Sequence, residues 1–294
     1  MTILLRNRPT RPEAPVTGDA TAVLRLGDRA VADYTWRPDL PVALSPRPYL
    51  HPVRTLAGVT VTELMPDSHR HHLGVSVAVA EVDGANFWGG RTFIPGHGPA
   101  WLDNQGRQDH VRWLRRTDTR LSHTLRWTAI DGRTLLTERR DLTCRLAGPG
   151  AWALGYRFTL TNATAAPLPI RSPAAHGRTG AGYGGFFWRA PSGDCRITSP
   201  AGTGAEAVHG RRAPWLSVAS DGWTLVFIAA NPATRDDSWF VRTRDYLGIG
   251  SALTWDEPLV LDPGAAVTRQ IVTVVADGTV DAGQAAAYAA ALAA

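Results

Sequence analysis

Lysine is missing altogether from the 294-residue chain, so all 31 basic side chains are arginine. That absence excludes Schiff-base catalysis and an amine general base. What remains is a set of planar guanidinium forks suited to carboxylates, phosphates and sugar hydroxyls. Exclusive arginine use beside abundant Ala, Gly and Pro is also what a GC-rich genome produces. The arginines are spread along the chain and form no basic arm. Despite a net charge of +5, no nucleic-acid partner is expected.

Cysteine is scarce: Cys144 in DLTCRL and Cys195 in GDCRIT stand alone. They supply neither a zinc knuckle nor a disulfide framework, and read as small buried hydrophobes. No run approaches the roughly eighteen apolar residues of a membrane helix. The N-terminal MTILLRNRPTRPEAP has no uninterrupted apolar core, so no signal peptide is read there. A reducing cytoplasm is the expected location, with no membrane partner. A GxGxxG between strand and helix is lacking, which argues against a nucleotide cofactor. A GxSxG elbow is lacking too, and no Ser-His-Asp triad is readable.

What the sequence has in quantity is β signal. Short segments rich in Val, Thr, Leu and Trp alternate with Gly, Pro, Asp and Asn. LGDRA, AIDGRT and ASDGWT each place a Gly-Asp or Asp-Gly turn between two such segments, which is hairpin chemistry. Strand follows strand without a helical crossover, so the sheets are expected to be antiparallel. VTVTEL reads as a strand, whereas PAWLDNQGRQDH reads as a loop. Only DAGQAAAYAAALAA, residues 281–294, reads as a helix. Residues 1–19 read as a flexible lead-in and 20–280 as a single large β-sandwich.

The candidate chemistry begins at PDSHRHHLGVSVAVAEV. Three of the nine histidines, His69, His71 and His72, fall within four positions. In the run that follows, Val75, Val77 and Val79 share one strand face, and Gly74, Ser76, Ala78 and Ala80 share the other. Strand parity from His71 would put that residue on the valine face and aim His72 at the small-residue face. His69 and His71, one residue apart on an extended chain, could chelate one divalent metal ion. DGANFWGG adds Asn86 and Trp88, a flat ring with one N–H donor. LLTERRDLTCRL alternates Glu138 and Arg140 with Arg139 and Asp141. Glu138 is either a base held ionised by an arginine or half of a cross-strand ion pair. AAHGRTGAGYGGFFWRA brings His176, Arg178, Tyr183, Trp188 and Arg189, and NPATRDDSWFVRTRDY brings Trp239, Arg242 and Tyr246.

Several stretches together resemble the bacterial PmoA family of methane-oxygenase-like proteins. They are RPYLHPVRTLAGVTVTEL, DSHRHHLGVSVAVAEVDGANFWGG, the Glu138 strand, GGFFWR, NPATRDDSWFVR and LDPGAAVTRQIVTVVADG, spanning about residues 45–278. The family form is similar to Asp-His-Pro-His-His-Arg/Leu-Gly. Here Ser68 intervenes and Arg70 stands in place of the proline, while His71 and His72 keep the pair. Methane oxidation itself needs membrane helices that this chain lacks. The C-terminal pattern is similar to that of supersandwich, galactose-mutarotase-like enzymes. The resemblance therefore implies sugar chemistry on such a fold.

Two functions follow as expectations. One is an acid/base lyase, hydrolase or epimerase acting on a sugar or keto-sugar glycoside, with or without a divalent metal. In it His72 acts with Glu138 or His176, while Arg47, Arg54, Arg189 and Arg242 hold hydroxyls or an oxyanion. The other is a non-catalytic sugar-binding module in which Trp88, Trp188 and Trp239 stack on rings. A homodimer is compatible with either.

Overall fold

The structure, a computed structural model, describes residues 20–293. The lead-in expected over residues 1–19 lies outside that range. The expected large antiparallel all-β fold with a C-terminal helix is what the chain forms. A seven-stranded sheet runs in the order Thr21–Leu26, Arg29–Thr35, Tyr49–Val53, Val75–Ala78, Gly185–Ala190, Leu247–Ala252, Ser238–Arg242. A nine-stranded sheet is built around the long strands Thr134–Gly148, Ala151–Asn162 and Ala266–Asp277. All three expected Gly-Asp and Asp-Gly turns close antiparallel hairpins.

Period-two alternation decides which side chains join the two sheets. Val75, Val77, Phe186, Trp188, Trp239 and Val241 enter one large core together with Trp127, Leu142, Tyr156 and Ile271 of the other sheet. Their neighbours in sequence, Ala78, Phe187 and Phe240, point away and join Trp88 and Tyr246 in a small cluster on the outer face. That outer face is where the histidine segment lands. The helix Ala282–Leu292 starts from an Asp281/Gln284 capping box and lays Ala285, Ala289 and Leu292 on the back of the nine-stranded sheet. Among the described residues, no helix is long and apolar enough to cross a membrane.

Two strand readings needed correction. VTVTEL makes only isolated bridges, at Thr60 and Leu64. Conversely, Arg107–Thr117 is an eleven-residue strand at the edge of the nine-stranded sheet. It is mostly exposed and rich in arginine, the composition that protects a sheet edge from pairing with other chains, so its polar pattern resembled a loop.

Candidate functional site

The strand Val75–Ala78 is entered through Gly74, whose φ of +49° turns the chain sharply. The parity extended back from the strand therefore fails at that residue, and His71 does not join the valine core. Residues 67–69 form a short 3-10 turn instead, and all three imidazoles gather on the outer face. The rings of His69 and His72 stack with centroids 4.7 Å apart. His71 meets His72 edge-on at 4.7 Å. His72 is buried against Trp88, Phe187 and Tyr246, at 6.0, 5.0 and 4.8 Å between ring centroids.

The positions around the cluster show why the local sequence is as it is. Gly89 and Gly90 both have positive φ, and a Cβ on Gly90 would lie 2.9 Å from the His71 ring nitrogen Nδ1. The Trp-Gly-Gly stretch is thus the wall against which His71 is seated. Asn86 fixes the same loop, its Oδ1 accepting from the backbone N–H of Trp88 and Gly89 at 2.8 Å each. Arg47 ties the parts together from below. Its guanidinium donates to the carbonyls of His71 (2.7 Å), Trp88 (3.1 Å), Leu44 (3.1 Å) and Ser45 (3.1 Å), and to Ser76 Oγ (3.2 Å). It is a buried brace and offers no hydrogen to a substrate.

Above the cluster lies an open cleft of about 740 Å³. The histidines, Trp88, Tyr183, Phe240 and Tyr246 line it, with Arg70, Arg91, Arg178 and Arg242 around them. Burial, reinforced by neighbouring guanidinium charge, determines the protonation of the imidazoles. His71 is pushed down to about 3 by burial, then by Arg47 and His69. His72 is held well below its ordinary value by burial, then by the two neighbouring histidines and Arg189. His69 is lowered by burial and Arg189, with Asp245 opposing. All three rings are therefore neutral near pH 7 and able to accept a proton. His72 Nδ1 is buried with no hydrogen-bond partner among the described residues. Tyr183 is raised to about 12 by burial, against the charge of Arg178, so it stays a neutral donor.

A recess opens beside the cleft, with Trp88, Arg91 and Tyr183 in the walls of both. Its volume, about 20 Å³, suits a single water-sized group. His176 sits here, its Nε2 2.6 Å from Glu81 Oε2, while Arg171 holds the other carboxylate oxygen at 2.8 Å. Glu81, unmarked in the sequence at the end of VSVAVAEVDG, is the carboxylate partner of a site histidine. Glu138 is not.

Glu138 is fully buried in the core between the sheets. Arg140, on the same strand and face, donates to both its oxygens at 2.6 and 2.8 Å, and the Trp127 indole adds a bond at 2.9 Å. The ion pair is thus within one strand rather than across two, and its carboxylate is out of reach of the cleft. Arg54 pairs with Asp33 at 3.3 Å and does not line the cleft. Arg189 is buried beneath the site, 2.5 Å from Glu63 and under the Tyr246 ring. Trp188 and Trp239 lie in the core, their indoles donating to the Val61 and Ala213 carbonyls, so neither is a stacking surface. Of the expected contacts, Trp88, Tyr183 and Arg242 line the cleft, and Asn86 lines the recess. Tyr246, grouped with Arg242 in the sequence, also lines the cleft, and Arg91, Arg178 and Phe240 complete it without having been singled out as binding residues.

The expected chelating pair, His69 and His71, is close but tilted, with centroids 5.9 Å apart. Stacking of His69 on His72 turns ring faces, not nitrogens, toward each other. Among the described residues, no group of three His, Cys, Asp or Glu side chains is arranged to hold a metal ion.

A family model for a family of unknown function, DUF6807, matches residues 21–290. The chain belongs to that family. Comparison of this DUF6807 member with curated proteins gives no match. Solved structures similar to it include a proposed aldose 1-epimerase from Escherichia coli K12, at 12% identity and a TM-score of 0.47, covering 88% of this chain and 99% of the other. A GalM/aldose epimerase homologue from C. elegans follows at 12% identity and a TM-score of 0.43, over 88% of this chain and all of that one. Galactose 1-epimerase from Lactobacillus acidophilus is 8% identical with a TM-score of 0.37, over 95% and 99% of the two chains. The chemistry of this DUF6807 chain has to be argued from its own residues.

Proposed function

We propose that the outer-face cleft binds a small sugar or keto-sugar glycoside and moves a proton on it, as a lyase, hydrolase or epimerase step requires. The observation that carries this reading is His72, a neutral imidazole in the lining of an aromatic, arginine-lined cleft. Trp88, Tyr183, Phe240 and Tyr246 give the cleft an aromatic lining against which a pyranose can pack. A neutral imidazole beside that ring can take a proton from a carbon next to a carbonyl, or from a hydroxyl. The charge that develops on oxygen is met by Arg178 and Arg242 and by the un-ionised hydroxyl of Tyr183. His176 and Glu81, 2.6 Å apart in the adjoining recess, form a second proton-transfer pair across the Trp88–Tyr183 wall. The resemblance to PmoA-family and mutarotase-like proteins points the same way.

His72→Gln separates catalysis from mere binding. Calorimetric titration with methyl β-D-glucoside and its 3-keto derivative gives affinity, and product formation gives turnover. Turnover should fall by about a hundredfold or more, with affinity held within about tenfold. If the protein binds both sugars and turns over neither, the cleft is a binding module. If it binds neither, it is not a sugar site.

A further inference from the structure

The charge balance of the cleft identifies the class of ligand more narrowly, and it rests on the reading of the cleft as a sugar site. Among the described residues, four guanidinium groups, those of Arg70, Arg91, Arg178 and Arg242, line it against one carboxylate, Asp67, with Asp245 and Glu63 acting on His69 from outside the lining. Asp67 is already engaged, at 3.3 Å from Arg70. Among the described residues, none of Arg91, Arg178 and Arg242 has a carboxylate within ion-pair distance. What sets these three apart is that they gather in one cleft. Nor do the histidines supply a counter-charge, since they are neutral.

One of the unpaired arginines, Arg178, is held in place. Arg178 Nη1 lies 3.5 Å from the Tyr183 hydroxyl and its guanidinium stands 5.9 Å from the Phe93 ring. Arg178 and Arg242 line the same cleft as Tyr183 and Tyr246, so the two guanidiniums share one aromatic-walled space. Like charges gathered over apolar rings repel one another, and a neutral sugar leaves that repulsion standing. An anionic substituent offsets it and accepts forked, charge-assisted hydrogen bonds.

We infer that the ligand of this cleft is a sugar carrying an anionic group, carboxylate or phosphate, and that Arg178 and Arg242 recognise it. The probes are methyl β-D-glucuronide, glucose 6-phosphate and methyl β-D-glucoside, titrated calorimetrically into the wild-type protein and an Arg178→Met/Arg242→Met variant. At least one anionic probe should bind about tenfold or more tighter than the neutral glucoside. The larger preference names the group, carboxylate or phosphate. The preference should shrink as salt is raised, and in the double variant the ratio of anionic to neutral affinity should fall to about one, the anionic probes losing far more than methyl β-D-glucoside. Circular dichroism and thermal unfolding show separately that the variant is folded. Equal or tighter binding of the neutral glucoside to wild type, or a preference that survives in the double variant, overturns the inference and leaves the sugar site intact. If none of the three sugars binds, the sugar reading fails and the inference fails with it.

Discussion

Acidification from about pH 7 to about pH 5 should destabilise this protein through its buried imidazoles. In the fold His71 titrates near 3 and His123 near 2, and His72 lies well below its ordinary value. In the unfolded chain each returns to about 6.5. Below that value the unfolded state binds protons that the folded state does not. Stability is therefore complete above about pH 6.5 and falls as the pH drops, until the folded-state values are reached. At about pH 5 His51, His71 and His123, with folded values near 4, 3 and 2, each cost about 2 kcal/mol, roughly 6 kcal/mol together and comparable with the whole stability of an ordinary domain, and His72 adds in the same direction. Most carboxylates, with ordinary values near 4, stay largely ionised over this window; Asp237, raised by burial, is the exception, and the histidine variant separates its share. Urea titrations at the two pH values measure the loss. A His71→Asn/His72→Asn variant, whatever its stability at pH 7, should lose at least about 2 kcal/mol less across the window, the His71 share alone. Equal wild-type stability at both pH values, or an unchanged loss in the variant, would show that these rings are not held neutral.

Other consequences are simpler to state. Glu138→Ala leaves Arg140 charged and unpaired in the core and should cost about 3–5 kcal/mol in urea unfolding. The double change Glu138→Met/Arg140→Met should recover much of that loss, because it removes both charges. Gly90→Val combines a strained φ of +73° with a Cβ against His71, and should both destabilise the chain by about 1–3 kcal/mol and abolish sugar turnover. Trp88→Ala removes the wall between cleft and recess and should weaken sugar binding by about tenfold or more in calorimetry.

Much of the architecture was legible because β alternation and turn chemistry are local. LGDRA, AIDGRT and ASDGWT set three hairpins, and the valines of GVSVAVAEV face the core as their spacing says. The strand Arg107–Thr117 escaped because an edge strand is built to look unlike one. The site was legible in part for a related reason. His72 did reach the small-residue face, and Trp88, Tyr183 and Arg242 did reach the cleft. His71 was misplaced because Gly74 breaks the parity, which no alternation rule reports. Glu138 misled because a charged pair on a core face is affordable only when both partners bury together, and that depends on Trp127 and Arg140 meeting it in three dimensions. Glu81 and His176 are 95 residues apart in sequence and share a recess only through folding.

The central claim is that a neutral His72 moves a proton on a sugar bound in the cleft. Its most direct test is solvent isotope exchange. Incubating methyl 3-keto-β-D-glucoside and its glucuronide counterpart with the protein in deuterium oxide, and following the ring protons beside the carbonyl by NMR, reads proton abstraction whatever the later step. Wild-type protein should replace at least one of those protons with deuterium at least about a hundredfold faster than His72→Gln. Exchange at the buffer rate with wild type, or equal exchange by the variant, would contradict the account.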